Sequence, residues 1–253
     1  MTRVAAPFDL ENRTALVTGA NTGLGQALAI ALARAGADIA AVGRTPPTAT
    51  AERVAASGRR LEFVDADLRE PPGAIVAEIL RSFDAIDILV NNAGVIRRKD
   101  ALELDEHDWD EVMNVNLKAV FFLSQAFARH VVEGGRRGKI VNVASMLSFQ
   151  GGVRVASYTA SKSGLAGLTK VLANEWAPRG INVNAIAPGY FATDNTAALR
   201  ADPKRNAEIL ARIPAGRWGE PDDLAGAAVF LASGASDYVN GVILPVDGGW
   251  LAR

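Results

Sequence analysis

Three side chains in the middle of the chain have the types and spacing of acid/base chemistry. Tyr158 and Lys162 are four residues apart, so on a helix they share one face, and Ser145 precedes the tyrosine by thirteen residues. A free tyrosine titrates near pKa ~10, and a neighbouring ammonium can lower that value by roughly 1–3 units. The group is therefore a candidate for proton transfer. The alternative is a surface pair whose lysine lies along the helix with its charge in water.

The elements that must position these residues alternate between strand and helix. An apolar run at 14–18 passes through the glycine-rich residues 19–25 into the Ala- and Leu-rich stretch 26–35. Gly36 is placed like a glycine that ends a helix, and a second strand pattern follows at 38–42. Together these segments predict a βαβ unit.

The same alternation continues to the end of the chain. Further strands are predicted at 61–64, 86–90, 139–143, 181–186 and 242–246, and further helices at 72–83, 107–132, 157–176 and 221–232. This pattern predicts an α/β fold, a single-domain Rossmann-type doubly wound parallel sheet of about seven strands with helices on both faces. We expect one dinucleotide-binding and catalytic domain over residues 1–253. Residues 189–219 interrupt the rhythm and are predicted to form a substrate lid, with surface decoration as the alternative.

Composition and charge exclude several classes of function. The chain has 253 residues, of which 49% are hydrophobic and 22% charged, as in ordinary globular proteins with a sizeable core. A formal net charge of -1 provides no basic surface, so neither nucleic acid nor a membrane is an expected partner. No segment at the N-terminus has the apolar run of a leader peptide, so a cytoplasmic location is predicted.

The residues that commonly bind metals are scarce. The chain has no cysteine, which excludes disulfides, iron–sulfur clusters and thiolate zinc sites. Its two histidines, His107 and His130, are 23 residues apart and do not form a HExxH-type motif. We therefore assign no metal.

The glycine-rich turn predicts a dinucleotide site. Its pattern is Thr18-Gly19-x-x-x-Gly23-x-Gly25, and it lies between a predicted strand and a predicted helix. Glycines allow the backbone to approach a pyrophosphate closely, and the helix N-terminus offers it free N–H groups and a positive dipole end. The candidate residues are Gly19, Asn21, Thr22, Gly23, Leu24 and Gly25. A purely structural glycine turn is the alternative.

The end of the second strand bears on the choice between NAD and NADP. An acid there accepts a hydrogen bond from the ribose 2′-OH, whereas an arginine favours a 2′-phosphate. The residues at this place are Gly43 and Arg44, and Asp38 comes too early in the strand to serve. We predict NAD as the cofactor and keep NADP as the alternative because of Arg44. A solvated arginine that stacks on adenine would also fit.

Seven motifs, taken in order, resemble the short-chain dehydrogenase/reductase family over nearly the whole chain. They are TGxxxGxG at 18–25, Asp67-Leu68, Asn91-Asn92-Ala93-Gly94, Asn116, Ser145, Tyr158-x-x-x-Lys162 and Pro188-Gly189. The resemblance implies that Tyr158 exchanges a proton with the substrate oxygen, which Ser145 holds by a hydrogen bond. It implies that Lys162 lowers the tyrosine pKa and binds the nicotinamide ribose, and that Asn116 anchors a water linking Lys162 to solvent. For Asn116, a structural asparagine within a helix is the alternative.

The resemblance also implies cofactor contacts and an assembly. The further cofactor-binding residues would be Asp67 and Leu68 at adenine, Asn92, Ala93 and Gly94 at the adenosine side, Pro188, Gly189 and Thr193 at the carboxamide, and Tyr158 and Lys162. An ordinary turn would explain the glycine at 94 but not two adjacent asparagines. The family commonly pairs the helices predicted at 107–132 and 157–176 across two-fold axes, so a homotetramer is expected.

Within the family, Ile96-Arg97-Arg98 and the segment from Ser145 to Gly152 are similar to members that act on deoxy sugar acids in carbohydrate catabolism. This similarity implies an NAD(P)-dependent oxidoreductase that interconverts a secondary alcohol and a ketone on such an acid. A carboxylate and several hydroxyls need guanidinium, amide and hydroxyl partners. The candidate substrate residues are Arg97, Arg98, Met146, Gln150 and Arg154. The alternatives are another polyol, sugar or 3-oxoacyl substrate, or a non-catalytic dinucleotide-binding sensor.

Overall fold

Seven parallel strands form one sheet in the computed structural model, which describes residues 7–253. The strands are β1 (Thr14–Thr18), β2 (Asp38–Gly43), β3 (Leu61–Asp65), β4 (Ile88–Asn91), β5 (Gly138–Val143), β6 (Ile181–Pro188) and β7 (Ile243–Val246). Their order is β3-β2-β1-β4-β5-β6-β7, and every neighbouring pair is parallel. The predicted Rossmann-type fold is confirmed. In such sheets ligands bind beyond the carboxyl ends of the strands, where the strand order reverses between β1 and β4.

Helices connect the strands and pack against the sheet. They are α1 (Gly23–Arg34), α2 (Thr48–Ala55), α3 (Ile75–Ile79), α4 (Glu106–Met113), α5 (Ala119–Glu133), α6 (Ala156–Trp176), α7 (Ala197–Ala201), α8 (Pro203–Arg212) and α9 (Ala225–Ala232). Across residues 7–253, none of them combines the length and the apolar character that a membrane span requires. The segment in which the sequence analysis found no leader-type run, residues 1–6, lies outside the described residues.

Two apolar layers sandwich the sheet because successive strand residues face opposite sides. Ala15 and Val17 of β1 pack into one layer with α1 and α9, whereas Leu16 packs into the other with α3, α5 and α6. All three residues have no exposed surface. Burial of one such aliphatic side chain stabilises the fold by about 1.5–3 kcal/mol. The resulting rigid sheet holds the loops at its carboxyl edge in place.

Two of the predicted helices differ from those observed. The helix predicted at 72–83 begins with a 3₁₀ turn at Pro72–Ala74, and its α-helical part is only Ile75–Ile79. The helix predicted at 107–132 is divided into α4 and α5 by a π-helical segment, Asn114–Lys118. Such segments often occur at functional sites, and this one carries Asn116.

The segment 189–219 contains helices that sequence periodicity did not predict. After a 3₁₀ turn at Asp194–Thr196 it forms α7 and α8. Asp202 caps α8 by accepting hydrogen bonds from the backbone N–H groups of Lys204 and Arg205, at 3.0 and 3.1 Å. Since Pro203 takes the first helical position, the pair Asp-Pro was a sequence signal for this helix. At the two ends of the segment, Phe191 and Gly219 pair as a parallel bridge.

Candidate active site

The structure brings Ser145, Tyr158 and Lys162 together beyond the carboxyl end of β5. Tyr158 and Lys162 lie one turn apart near the start of α6, and the Lys162 Nζ is 5.7 Å from the centre of the tyrosine ring. The Ser145 hydroxyl accepts a hydrogen bond from the backbone N–H of Leu147 at 3.1 Å and lies near enough to the Tyr158 phenol to act on its pKa. The loop after β5 thus lies beside the tyrosine of α6.

Lys162 is buried beneath this cluster, with only 4% of its surface exposed. Its Nζ donates a hydrogen bond of 2.6 Å to the backbone carbonyl of Val143. The pairing of β4 with β5 ends at Asn91 and Asn142, so Val143 extends past its neighbour on that side. Burial lowers the pKa of Lys162 to about 8, because the surrounding protein disfavours the charged ammonium.

The environment of Tyr158 differs from the sequence-based expectation. We expected Lys162 to lower the pKa of the phenol, but the surrounding protein raises it by desolvating the phenolate, although part of the side chain reaches the cleft. The neighbouring Ser145 hydroxyl and the charge of Arg98 act in the opposite direction and lower the pKa. The expected direction was therefore wrong for the structure as it stands, because spacing along a helix gives proximity but not desolvation.

Asn116 makes three hydrogen bonds through its fully buried side chain. Its Oδ1 accepts from the backbone N–H of Val95 at 2.8 Å. Its Nδ2 donates to the Val95 carbonyl at 2.9 Å and to the Ser161 hydroxyl at 3.2 Å. The side chain thus connects the segment after β4 to α6, which agrees with the alternative that Asn116 has a structural role. The water link to Lys162 stays a prediction.

The glycine turn after β1 has the shape of an anion-binding cradle. Gly19 and Gly23 have φ angles of +68° and +56°, which side chains other than glycine rarely adopt. A Cβ atom at Gly25 would lie 2.1 Å from the Gly19 carbonyl oxygen. Thr22 precedes α1 in an extended conformation, and its side chain does not cap the helix. The first N–H groups of α1 therefore stay free for a pyrophosphate, and the turn fits a dinucleotide.

The two adjacent asparagines after β4 hold the carboxyl edge of the sheet together. Asn92 Nδ2 donates to the backbone carbonyls of Thr18 and Gly19, at 2.9 and 3.2 Å. The Thr18 hydroxyl accepts from the N–H groups of Asn92 and Ala93, both at 3.0 Å. Asn91 Nδ2 binds the Asn142 side chain at 2.9 Å. The Asn92 side-chain amide thus binds the glycine turn. The predicted contact of 92–94 with adenosine would therefore be made by the backbone of these residues.

At the adenine end of the predicted cofactor site, sequence reasoning missed Arg69, which binds Asp67. Asp67 accepts hydrogen bonds from the Nε of Arg69 at 2.9 and 3.1 Å, and this contact lowers the pKa of the carboxyl group. Leu68 packs against the apolar core. Asp38 lies at the other end of β2, where it binds Arg59, so it cannot reach a ribose. Arg44 follows β2 directly, as the sequence indicates.

The predicted carboxamide end lies against the glycine turn. Gly189 donates its N–H to the Val246 carbonyl at 3.0 Å, which ties Pro188 at the end of β6 to β7. A Cβ atom at Gly23 would lie 3.7 Å from the Thr193 methyl group. The start of the 189–219 segment and the cradle therefore form neighbouring walls of one cleft.

Comparisons with known proteins identify the family. Residues 19–251 match the family model described as enoyl-(acyl carrier protein) reductase. A 2-dehydro-3-deoxy-D-gluconate 5-dehydrogenase of Escherichia coli K12 is 61% identical over 252 residues, or 99% of this chain and 100% of that protein. The chain belongs to the short-chain dehydrogenase/reductase family. It is therefore an NAD(P)-dependent oxidoreductase that acts on CH–OH groups, as the motifs predicted.

Relatives with other names and solved structures agree with this assignment. A gluconate 5-dehydrogenase of Gluconobacter oxydans is 44% identical over 246 residues, or 96% of each chain. The structure of a candidate 2-deoxy-D-gluconate 3-dehydrogenase from Agrobacterium tumefaciens with bound NADP is 62% identical, with a TM-score of 0.92 over 98% of this chain and 99% of that one. A gluconate 5-dehydrogenase of Burkholderia cenocepacia, in complex with NADP and tartrate, is 42% identical, with a TM-score of 0.93 over 98% of each chain.

The three candidate arginines of this dehydrogenase lie in different surroundings. Arg97 forms ion pairs with Glu111 and, at 3.5 Å, with Asp108, both on α4, so its predicted role in substrate binding is not supported. Arg98 is exposed, donates to the Asn195 carbonyl at 3.1 Å, and lies close enough to Tyr158 to lower its pKa. Arg154 is exposed in a strained loop conformation with φ +62°. Of the three arginines, Arg98 is the one whose charge acts on the pKa of Tyr158.

Met146 and Gln150 face the 189–219 segment and the C-terminus. Met146 is 6% exposed and packs in an apolar cluster with Ile209, Ile213 and Trp250. Gln150 accepts a hydrogen bond from the Trp250 indole at 3.2 Å. Met146 is thus part of a wall beside Ser145, and the Gln150 oxygen is already engaged.

Sequence reasoning missed an aromatic group in the same cleft wall. Tyr190 packs edge-on against Trp250 and Trp218, with ring centres 4.8 and 5.4 Å away, and the Arg212 guanidinium lies 3.9 Å above the Trp250 ring. Burial raises the pKa of Tyr190. Aromatic residues are only 6% of this chain, and their grouping in 190–250 was the available signal.

A potential metal-binding group on α4 is already neutralised. Asp105, His107 and Asp108 place ligand atoms within 4.8 Å of one another. The Lys99 ammonium lies 2.6 Å from the Asp105 carboxylate and 3.1 Å from that of Asp108, and hydrogen bonds from Lys99 lower the pKa of Asp105. A cationic side chain thus occupies the place that a metal ion would take, and the group does not support a metal site.

Proposed function

We propose that this dehydrogenase interconverts a secondary alcohol and a ketone on a deoxy sugar acid of the 2-deoxy-D-gluconate or 2-dehydro-3-deoxy-D-gluconate type. The observation that carries the proposal is that an exposed guanidinium, Arg98, lies close enough to Tyr158 to act on its pKa and donates to the Asn195 carbonyl of the 189–219 segment at 3.1 Å. The names of the Escherichia coli and Agrobacterium tumefaciens relatives support the substrate class. Because an arginine, Arg44, and not an acid directly follows the end of β2 at Gly43, we propose NADP as the preferred coenzyme, in place of the predicted NAD.

The division of labour follows from the contacts of each side chain. The bound dinucleotide would accept or supply the hydride. Burial favours the neutral phenol of Tyr158, which donates its proton to the substrate oxygen in reduction; in oxidation the phenolate accepts that proton. Ser145 lies beside the phenol and can hold the substrate oxygen in place by a hydrogen bond. Lys162, held from below by Val143, lies near the tyrosine ring and places a titratable charge there.

Arg98 is the proposed anchor for the substrate carboxylate. In a cleft, a charge-assisted hydrogen bond between guanidinium and carboxylate is worth about 1.5–3 kcal/mol, which corresponds to a tenfold to hundredfold change in affinity. Arg98→Ala is therefore expected to raise KM for the sugar acid by about that factor and to change kcat much less. Steady-state kinetics at saturating dinucleotide measure both quantities.

Matched variants separate this role from a general effect of charge. Arg154→Ala removes an exposed guanidinium of the neighbouring loop, and its KM should stay within about twofold of the wild type. A substrate of the same carbon skeleton that lacks the carboxylate should not distinguish Arg98→Ala from the wild type. An unchanged KM for the acid in Arg98→Ala would rule out the anchor.

The experiment that tests the proposed function is an activity matrix. NAD and NADP are each combined with 2-deoxy-D-gluconate, with related deoxyhexonates and with uncharged polyols. In the reverse direction, NADH and NADPH are each combined with 3-oxoacyl compounds. We expect dinucleotide reduction with a deoxy sugar acid, and faster turnover with NADP than with NAD. Preference for a polyol or a 3-oxoacyl compound would replace the substrate class, and binding without turnover would favour the sensor.

We propose that the dehydrogenase is a cytoplasmic homotetramer and that 189–219 closes over the substrate. Large apolar side chains remain exposed on α5 and α6, such as Phe122 at 43% and Val171 at 50%, and such surfaces are typical of interfaces. Light scattering after size exclusion should give the mass of four chains, and Phe122→Lys should give a smaller species. A monomeric wild type would contradict the assembly.

A further inference from the structure

Two arginines share the Asp67 carboxylate unequally. Arg69 holds it through its Nε at 2.9 and 3.1 Å and through its backbone N–H at 2.9 Å. The nearest nitrogen of Arg44, Nη1, is 4.0 Å from the same carboxylate, beyond hydrogen-bond distance. Asp67 is therefore occupied by Arg69, and Arg44 is held only weakly.

Arg44 is placed where a dinucleotide would put the substituent of its adenosine ribose. It directly follows Gly43, the last residue of β2, and the adjacent Val42 accepts a hydrogen bond from the Gly19 N–H of the glycine turn at 2.8 Å. Its side chain is 62% exposed. Within residues 7–253, Asp67 is the only carboxylate in ion-pair distance of Arg44. Arg44 is thus a nearly free cation beside the cradle.

Asp67 is a competitor for that cation. A 2′-phosphate and the Asp67 carboxylate are both anions that a guanidinium binds through two N–H groups, so Arg44 cannot serve both fully. Without Arg69, the carboxylate would lose its main partner, and the nearest replacement is Arg44, already 4.0 Å away. The affinity for a 2′-phosphate would then include the cost of separating Arg44 from Asp67.

We propose that Arg69 determines coenzyme preference by occupying Asp67, which leaves Arg44 free to bind the 2′-phosphate of NADP. Arg69 is in this sense a specificity residue that acts through Asp67 and Arg44. The inference rests on the proposed function only in that a nicotinamide dinucleotide binds at the glycine turn. It makes the same prediction whichever substrate the enzyme uses.

A second acid near this place does not change the argument. Asp65 ends β3 and lies opposite Gly43 in the register of the sheet, with its side chain exposed. Its charge is present in every variant that alters only Arg69, so it adds a constant contribution. Asp65→Asn therefore serves as a control for the effect of local net charge on 2′-phosphate binding.

The test measures dissociation constants of NADPH and NADH by their fluorescence, without substrate and without turnover. In Arg69→Ala, the NADPH constant should rise about threefold to fivefold, the range of an exposed ion pair, while the NADH constant should change less than about twofold. Arg69→Lys keeps the charge but not the two-pronged contact, so its NADPH constant should lie between those of the wild type and the alanine variant. Circular dichroism and melting curves verify that each variant is folded.

Two double variants identify the route of the effect. Replacing Asp67 by asparagine in the Arg69→Ala protein should restore the wild-type ratio of the two constants, because the competitor for Arg44 is gone. In an Arg44→Ala background, Arg69→Ala should have no further effect on that ratio. If asparagine at 67 fails to restore the ratio, or if Arg69→Ala still changes the ratio in the Arg44→Ala background, Arg69 does not act through Asp67 and Arg44, and the proposal is wrong.

Failure of this inference is distinguishable from failure of the proposed function. Tight binding of both dinucleotides with an unchanged ratio in Arg69→Ala would overturn the role of Arg69 and leave the oxidoreductase intact. If neither dinucleotide binds to the folded wild-type protein, the cradle is not a dinucleotide site, and both proposals are overturned together.

Discussion

Tyr158→Phe is expected to lower kcat by about a hundredfold to ten-thousandfold, the range that a positioned general acid or base contributes. The substitution removes only the phenolic oxygen, which lies beside Ser145 and close enough to Arg98 for that charge to act on its pKa. The ring and its place on α6 are retained, so folding and dinucleotide affinity should stay near those of the wild type. Single-turnover rates with the sugar acid, together with dinucleotide binding, measure the two effects separately.

Tyr190→Phe is the matched control for this experiment. Tyr190 lies in the same cleft and also has a raised pKa because of burial, but its ring packs against Trp218 and Trp250 and does not contact Ser145 in the structure. Its kcat should change by only a few-fold. Equal loss of activity in both variants would show that any phenol in this cleft matters, and full activity of Tyr158→Phe would remove Tyr158 from the mechanism.

Lys162→Met is expected to abolish most activity and to change how stability depends on pH. The unfolded chain keeps Lys162 protonated up to its ordinary pKa of 10.5, whereas burial makes the folded protein release that proton near pH 8. Below pH 8 the buried charge therefore costs the folded state about 3 kcal/mol, and this cost disappears as the pH rises to 10.5. The wild type should gain up to that amount of stability relative to Lys162→Met between pH 8 and 10.5.

Urea unfolding at pH 7, 8, 9 and 10.5 measures the difference in unfolding free energy between the wild type and Lys162→Met. The dependence of that free energy on urea concentration reports the surface exposed on unfolding and should be the same for both proteins. The variant also removes the donor of the 2.6 Å hydrogen bond to Val143, which adds a loss of about 1–3 kcal/mol that does not depend on pH. Lys170→Met, an exposed lysine on the same helix, should show a constant difference from the wild type. A constant difference for Lys162→Met as well would contradict the burial of its charge.

The residues that share a helix face or a strand end were placed correctly from sequence. Tyr158 and Lys162 share one turn of α6 because helical periodicity is local. Ser145 lies two residues after β5, a fully buried strand that the sequence pattern at 139–143 predicted. The glycine turn of 19–25 has the same local character. Such features depend on backbone geometry over a few residues, which sequence patterns report directly.

The features that were missed depend on which distant side chains meet. Arg97 and Arg98 are adjacent in sequence, yet α4 provides carboxylates for the first and none of the described ion pairs involves the second. The direction of the Tyr158 pKa depends on desolvation by neighbours that spacing cannot show. The helices of 189–219 were missed because α7 is only five residues long and α8 has just one buried residue, Ile209.

The sequence by itself determined the fold and the family and predicted the acid/base group, because these follow from periodicity and from motifs in order. Tertiary structure decided how each group is tuned. In the folded protein Lys162 is buried, which lowers its pKa to about 8. Arg97 forms an ion pair with Glu111 of α4, and Asp67 accepts its hydrogen bonds from Arg69 and not from Arg44. Charge interactions and desolvation act over a few ångströms between segments far apart in the chain, so only the folded arrangement fixes them.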